Sequence, residues 1–367
     1  MGRRTPLTDI LLDRIRRDGP LTFAAFMEAC LYHPEHGYYA RGRPAEGAGD
    51  YYTSPDVGSV FARLLARQFQ EMWEQMGRPQ RFQLVECGAG RGRLAAQLLA
   101  AVAEREPEFG RTLDLTLIEA SAALRVQAEA VVREFSPHIC IQESLPSSVT
   151  GCIFSNELLD ALPVHRVVQR EHELREIYVT ATQGELREQE GDLSSPQIAR
   201  YLERYGAPLE EGQFAEVNLT ALKWLEQAAA TLERGFLLTI DYGHRARELY
   251  GPGHRRGTLL AYRSHRAEEN WLEAPGEQDL TAHVNFTALE ERGKELGLEP
   301  LGFTTQASFL LALARACGLE ELSSPEQQAT RRQLIQLIHP EGMGETFKVL
   351  IQAKGVQRAR LSGLEPI

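Results

Sequence analysis

Cysteine is scarce in this chain. The five among 367 residues, Cys30, Cys87, Cys140, Cys152 and Cys317, are scattered with no C-x-x-C pair. That excludes the usual zinc and dithiol redox motifs, and the thiols read as buried groups in a reducing compartment. Long apolar runs are also lacking, and none approaches the roughly 20 residues of a membrane-spanning helix. Charged and polar residues recur from Arg3 through Asp18, so the apolar centre of a secretory signal is missing too. A basic excess is absent, since 40 basic against 51 acidic residues give a formal charge of -11. General attraction to nucleic acid or to anionic membranes is thereby disfavoured. These absences predict a cytoplasmic protein with no nucleic-acid partner and no membrane span.

Glycine is concentrated where it matters most. In Arg81-Phe-Gln-Leu-Val-Glu-Cys-Gly-Ala-Gly-Arg-Gly-Arg an apolar run ends in Glu86, and glycines at 88, 90 and 92 precede an amphipathic segment. Glycines at a strand-to-helix turn let a ligand approach the backbone. The dinucleotide pattern G-x-G-x-x-G would need glycine where Arg93 stands, which disfavours NAD. S-adenosylmethionine has no phosphate, and its cationic methionine portion favours an acidic strand end beside tight glycines. A turn built only for packing is the alternative. Glu119, closing the next apolar run, is the expected ribose anchor, although an acid there would also serve NAD. Glu143 and Ser144 follow the third run, where they could meet an adenine edge or simply make a turn.

Apolar runs at 82–87, 113–119, 139–142 and 152–155 alternate with helix-period segments at 94–104 and 122–135. That alternation predicts an α/β fold with a parallel sheet. A hairpin is expected over 164–179, helices at 197–205 and 219–233, and a further strand at 235–242. The chain then closes with strands at 299–305 and 347–353 separated by helical segments, which suits an antiparallel finish. Residues 1–80, with helices at 7–17 and 59–76, form an N-terminal addition. Residues 81–367 form the main domain, with insertions at about 164–234 and 243–285. A loop as long as the second usually has a function.

On the substrate side, the fourth apolar run changes abruptly to Asn156, Glu157 and Asp160. Methyl transfer needs an aligned nucleophile and a dry site, and a guanidinium fork would pair with Glu157 or Asp160. Alternatively, Asn156 caps a helix with Asp160 in its first turn. Asp50, Thr53, Asp241 and His283 are the other chemically capable positions, set in Gly49-Asp-Tyr-Tyr-Thr-Ser-Pro, Asp241-Tyr-Gly-His and Asp279-Leu-Thr-Ala-His-Val. Thr53 to Asp56 could instead start the helix at Ser59, and His283 could be a packed histidine. The histidine and aspartate spacing matches no common ligand set, so no metal is expected.

Together these motifs resemble the MidA family of S-adenosylmethionine-dependent methyltransferases, whose mitochondrial members assist assembly of respiratory complex I. The resemblance spans roughly 21–354. It includes Pro34-Glu-His-Gly-Tyr-Tyr, Glu86-Cys-Gly-Ala-Gly-Arg-Gly, Ser155-Asn-Glu-Leu-Leu-Asp-Ala-Leu-Pro-Val, Ile240-Asp-Tyr-Gly, Gly257-Thr-Leu-Leu-Ala-Tyr-Arg and Asp279-Leu-Thr-Ala-His-Val. It implies a Rossmann-like seven-stranded methyltransferase sheet with helical additions. It also implies a cofactor site including Gly88, Gly90 and Glu119, and a covering loop of residues 49–55 that carries Thr53 and Ser54. The acceptor it implies is an arginine of a protein, with a complex I subunit as partner. Two positions depart from the pattern: Arg93 stands where threonine is common, and Asn285 where aspartate is common. A small-molecule methyltransferase and a non-catalytic assembly protein retaining the fold are the rival readings.

Overall fold

The structure is a computed structural model and describes residues 4–41, 54–135, 139–171, 173–263, 266–319 and 325–366. The chain divides into two compact units: residues 1–51, 159–224 and 243–291, and residues 52–158, 225–242 and 292–367. The expected boundary near residue 80 therefore falls elsewhere. Helix α1 (Ser59–Gln75) belongs with the second unit because its apolar face is buried in that unit's core, with Phe69 packed 4.9 Å from Phe154. No helix among the described residues is long and apolar enough to cross a membrane.

In the second unit the apolar runs form strands. They are β1 (Phe82–Cys87), β2 (Leu113–Ile118), β3 (Ile139–Gln142), β4 (Val149–Asn156), β5 (Leu232–His244), β6 (Glu299–Thr305) and β7 (Phe347–Lys354). Their order is β3-β2-β1-β4-β5-β7-β6. The first five are parallel, and β7 runs antiparallel to both β5 and β6. Strands covered on both faces become nearly continuous apolar runs, which is why these were readable. Val284–Asn285 pairs with the last two residues of β5, so the sheet has eight strands, seven of them on one path. Helices α2 (Arg93–Arg105) and α3 (Ala122–Val132) follow β1 and β2. Their Leu94, Leu98 and Ala128 enter the same core as Phe82 and Leu115.

The first unit contains helices Pro6–Asp18 and Phe23–Tyr32 and an antiparallel sheet. The sheet places Leu21–Thr22, Glu173–Thr182, His165–Arg170 and Phe214–Val217 side by side, with Glu185–Gly191 paired to Glu173–Thr182. A smaller sheet joins Leu260–Arg263, Arg266–Glu268 and Asp279–Thr281. Three of these elements are not legible from periodicity. Phe23–Tyr32 is almost wholly apolar, so its buried stripe of Phe23, Phe26, Met27, Cys30 and Leu31 has little polar contrast to reveal it. Glu185–Gly191 is a charged, mostly exposed strand. The small sheet occupies part of the expected 243–285 loop with strands of three or four residues. The thiols also divide: Cys30, Cys87 and Cys152 are buried as expected, whereas Cys140 and Cys317 are exposed because they lie at positions facing solvent.

A buried cation organises part of this unit. Arg166, 4% exposed, donates to Glu188 at 2.8 Å and lies 3.6 Å from buried Glu216. Its guanidinium sits between the rings of Phe214 and Trp271, at 4.5 and 4.4 Å. Removing one member of a buried charge pair strands the other. Arg166→Met is expected to destabilise the protein by roughly 3–5 kcal/mol, measured as a lowered urea denaturation midpoint.

Candidate functional site

The carboxyl ends of β1, β2, β3 and β4 lie at one edge of the sheet. The strand order reverses between β1 and β4, the place where open α/β sheets bind ligands. The turn after β1 is tied to β2, with the amides of Gly88 and Ala89 both donating to Ile118 O at 2.8 and 3.1 Å. Both Gly88 and Gly90 have left-handed backbone, at φ +74 and +55°. Their roles differ. A Cβ on Gly88 would lie 3.0 Å from the Leu158 side chain, whereas a Cβ on Gly90 would meet nothing within 4 Å. Gly88 therefore serves packing between neighbouring turns, and Gly90 borders open space.

Glu119 binds this turn through its side chain. Its Oε2 accepts from Gly90 N–H at 2.9 Å and its Oε1 from Ser121 N–H at 2.8 Å. Burial raises its pKa, and these backbone donors oppose the rise. Each oxygen keeps a second lone pair, so the carboxylate can still accept ribose hydroxyls. Glu86 is different. It is 4% exposed, and its Oε2 has no hydrogen-bond partner among the described residues. Burial, followed by the charge of Glu119, pushes it up to about 8. A buried acceptor without a donor is costly. A ligand carrying hydroxyls and a cationic amine supplies donors, which is how the residues present fit an adenosyl amino-acid cofactor.

At the end of β4, Glu157 is held in left-handed backbone, φ +55°, unusual for a non-glycine residue. Its N–H donates to Ile240 O at 3.0 Å. Its Oε1 accepts from Asn156 Nδ2 at 2.9 Å and from Ser54 N–H at 3.2 Å, while Oε2 is buried without a partner among the described residues. Burial is the main cause that lifts Glu157 to about 8, and the charges of Asp241 and Asp56 add to it. The Ser54 hydroxyl is already committed to Gln306 at 3.2 Å. Asp241, buried at the end of β5, accepts from the amides of Leu158 and Tyr242 at 3.1 and 2.9 Å. It braces the turn that presents Glu157.

The remaining expected positions have other surroundings. Glu143 and Ser144 follow β3 as exposed residues. Glu143 lies 3.5 Å from Arg125, whose guanidinium also donates to the carbonyls of Glu119 and Ala120 at 2.7 and 2.8 Å. That anchoring role of Arg125 has no sequence signal beyond one turn of helix. Asp50 and Thr53 lie outside the described residues. Arg93 adds no free charge, because Asp56 pairs with it. Asp160 and His283 belong to the first unit. There Asp160 is 2% exposed, and its charge, with that of Asp279, raises the Tyr39 and Tyr262 hydroxyls after burial. Tyr39 donates to Asp279 at 2.9 Å. His283 neighbours two other histidines, with ring centres 5.2 Å from His244 and 6.0 Å from His254. Asn285 caps the helix Phe286–Glu295 through Ala288 N–H at 3.2 Å and donates to Tyr205 O at 2.9 Å, so it has a structural task.

Residues 64–304 match a family described as S-adenosyl-L-methionine-dependent methyltransferases. The chain is 28% identical to "Protein arginine methyltransferase NDUFAF7, mitochondrial" of Danio rerio, over 96% of this chain and 88% of that one. It is also 28% identical to the protein of the same name from Homo sapiens, over 94% and 82% of the two. Among solved structures it resembles a superfamily member from Burkholderia thailandensis bound to S-adenosyl-homocysteine. The TM-score is 0.87 at 30% identity, covering 99% of this chain and 97% of that one. The cytoplasmic location expected from the sequence does not stand, since these curated relatives are mitochondrial proteins. That no helix among the described residues is long and apolar enough to cross a membrane selects no compartment.

The two raised carboxyls carry a pH signature. A carboxyl with its pKa raised in the folded state contributes stability that is complete below the unfolded value and is lost as pH climbs through the folded one. For Glu86 that window runs from 4.5 to about 8. In ligand-free Glu86→Gln, the denaturation midpoint is expected to fall less between about pH 5 and pH 8 than in the parent, by up to about 1.4 kcal/mol per pH unit. Parallel pH profiles of urea unfolding check this.

Proposed function

The chain belongs to the family of S-adenosyl-L-methionine-dependent methyltransferases, and we propose that within it this chain methylates arginine in a protein acceptor. S-adenosyl-L-methionine is its cofactor. A subunit of respiratory complex I is the acceptor suggested by the resemblance to the MidA family. The arginine assignment draws on the names of the relatives and on one observation above all. Glu157 is a half-buried residue whose Oε1 is fixed by Asn156 and Ser54 while its buried Oε2 has no partner among the described residues. A planar guanidinium is a donor group suited to complete it.

In this reading the seven strands on one path are the Rossmann-like methyltransferase sheet, and the second unit is the catalytic core. Glu86, Gly88, Gly90 and Glu119 form the cofactor cradle. Glu119 takes the ribose, Glu86 faces the cationic portion, Gly90 leaves the space, and Gly88 permits the close packing beneath. Glu143 and Ser144 border the adenine edge. The family resemblance suggests that Thr53 and Ser54 help to bind the cofactor, and Asp50 is assigned to the acceptor. When bound, the cofactor supplies an electrophilic methyl group carried on positively charged sulfur. Glu157 orients the guanidinium and accepts the proton that the substituted nitrogen loses, and its affinity for protons near neutrality suits that exchange. Asn156 holds the Glu157 carboxyl, and Asp241 braces its turn. Asp160 is a second carboxyl suited to a guanidinium, whereas His283 is given no part in this reading, since its imidazole lies among two other histidines of the first unit.

The direct test is incubation with methyl-labelled cofactor and arginine-bearing complex I subunits, followed by hydrolysis and amino-acid analysis. Label in methylarginine supports the assignment, and label only in lysine or in small molecules overturns the acceptor. Glu157→Gln is expected to lower transfer by roughly 10²–10⁴-fold while S-adenosyl-homocysteine affinity changes little; unchanged turnover would make Glu157 purely structural. Asparagine tolerates left-handed backbone, so Gly90→Asn fills the open space without breaking the turn. By calorimetry it should weaken S-adenosyl-homocysteine binding at least about tenfold, or 1.4 kcal/mol, with the thermal midpoint nearly unchanged.

A further inference from the structure

Three histidines that play no part in the cofactor site come together in the first unit. His244 ends β5, His254 lies in the short helix Pro252–His254, and His283 immediately precedes Val284–Asn285. One ring nitrogen from each lies within 4.8 Å of the others, and all three residues are half-buried. Their ring centres are 5.1, 5.2 and 6.0 Å apart. Three imidazoles around one tetrahedral ion, with nitrogens about 2.0–2.1 Å out, have ring centres about 5 Å apart. Small side-chain rotations bring the nitrogens to the roughly 3.3 Å separation that such coordination requires.

The surroundings match a ligand set rather than a chance stack. His244 Nδ1 lies 3.0 Å from the Glu248 carboxylate, and His254 Nδ1 lies 3.1 Å from the Glu248 carbonyl oxygen. The His254 contact is the arrangement that fixes the tautomer of metal-bound histidine and leaves Nε2 as the ligand atom. The backbone beside the third ring is fixed as well, with His283 N–H donating to Thr258 Oγ1 at 3.0 Å. All-imidazole sites favour zinc, copper, iron or nickel over calcium or magnesium.

We propose that His244, His254 and His283 bind one divalent transition-metal ion of the zinc class, with a fourth position open to water. The ion clips three separate stretches of the first unit. The proposal does not depend on the acceptor assigned above.

The full chain, stripped with chelator, is titrated with Co²⁺ alone, and then with Zn²⁺ in competition. One saturable equivalent is expected, with the visible absorption of tetrahedral cobalt, displacement by zinc and a raised thermal midpoint. His254→Gln, in a short surface turn, should weaken this equivalent at least about 100-fold. His36→Gln should not, although His36 stacks on His33 with ring centres 5.3 Å apart. Absence of a stoichiometric cobalt equivalent in the unaltered chain overturns the proposal without recourse to any variant. Undiminished binding by His254→Gln, or loss in His36→Gln alone, overturns it as well.

Discussion

Uncompensated negative charge is the constraint around which the second unit is arranged. Glu86 and Glu157 lie at the ends of adjacent strands, Glu86 buried and Glu157 half-buried, each with one buried oxygen that no donor among the described residues reaches. Ionised carboxylates in such places cost several kcal/mol unless paired, so without ligand both hold their protons into the neutral range. Their surroundings restrict what can relieve them. The turn beside Glu86 presents backbone instead of side chains, and the oxygen of Glu157 facing Asn156 is already engaged. Among the described residues no further donor reaches the pair, and a ligand with donors and positive charge would relieve it. A sulfonium cofactor is of that kind, and so is the guanidinium acceptor proposed above.

Much of this was legible because it lies in adjacent residues. An apolar run, an acid and spaced glycines are a local pattern, and so is the abrupt change from Phe154 to Asn156 and Glu157. Strand positions followed for the same reason, since a strand buried on both faces is written as an unbroken apolar run. What stayed hidden is relational. Nothing near residue 88 indicates that Leu158 fills the space above it while the space above Gly90 is open. Nor does Asp241, which looks like a ligand-binding acid at a strand end, disclose that its oxygens accept amides on either side. Compartment was misjudged for another reason: a missing signal was treated as a positive indication.

The first unit illustrates how polar residues can occupy an interior. Its apolar clusters are separate, and Arg166 lies among Glu188, Glu216, Phe214 and Trp271. Such a cluster resists sequence reading because its members come from four different stretches of chain. The short strand Glu185–Gly191 contributes Glu188 to it, which gives a charged strand with no apolar stripe a definite place in the fold.

The order in which the sheet is completed has a consequence for biosynthesis. β7 is the last of its strands to leave the ribosome, yet it lies between β5 and β6. Until it emerges, β6 has no neighbour in the sheet, and β5 offers an unpaired edge along most of its length to any other extended chain nearby. The nascent protein therefore passes through an interval in which its central strand is sticky. A premature stop ahead of residue 347 would leave the glycine turn intact in sequence and the polypeptide prone to aggregate, so the cell's chaperones, rather than the cofactor, should be its first partners.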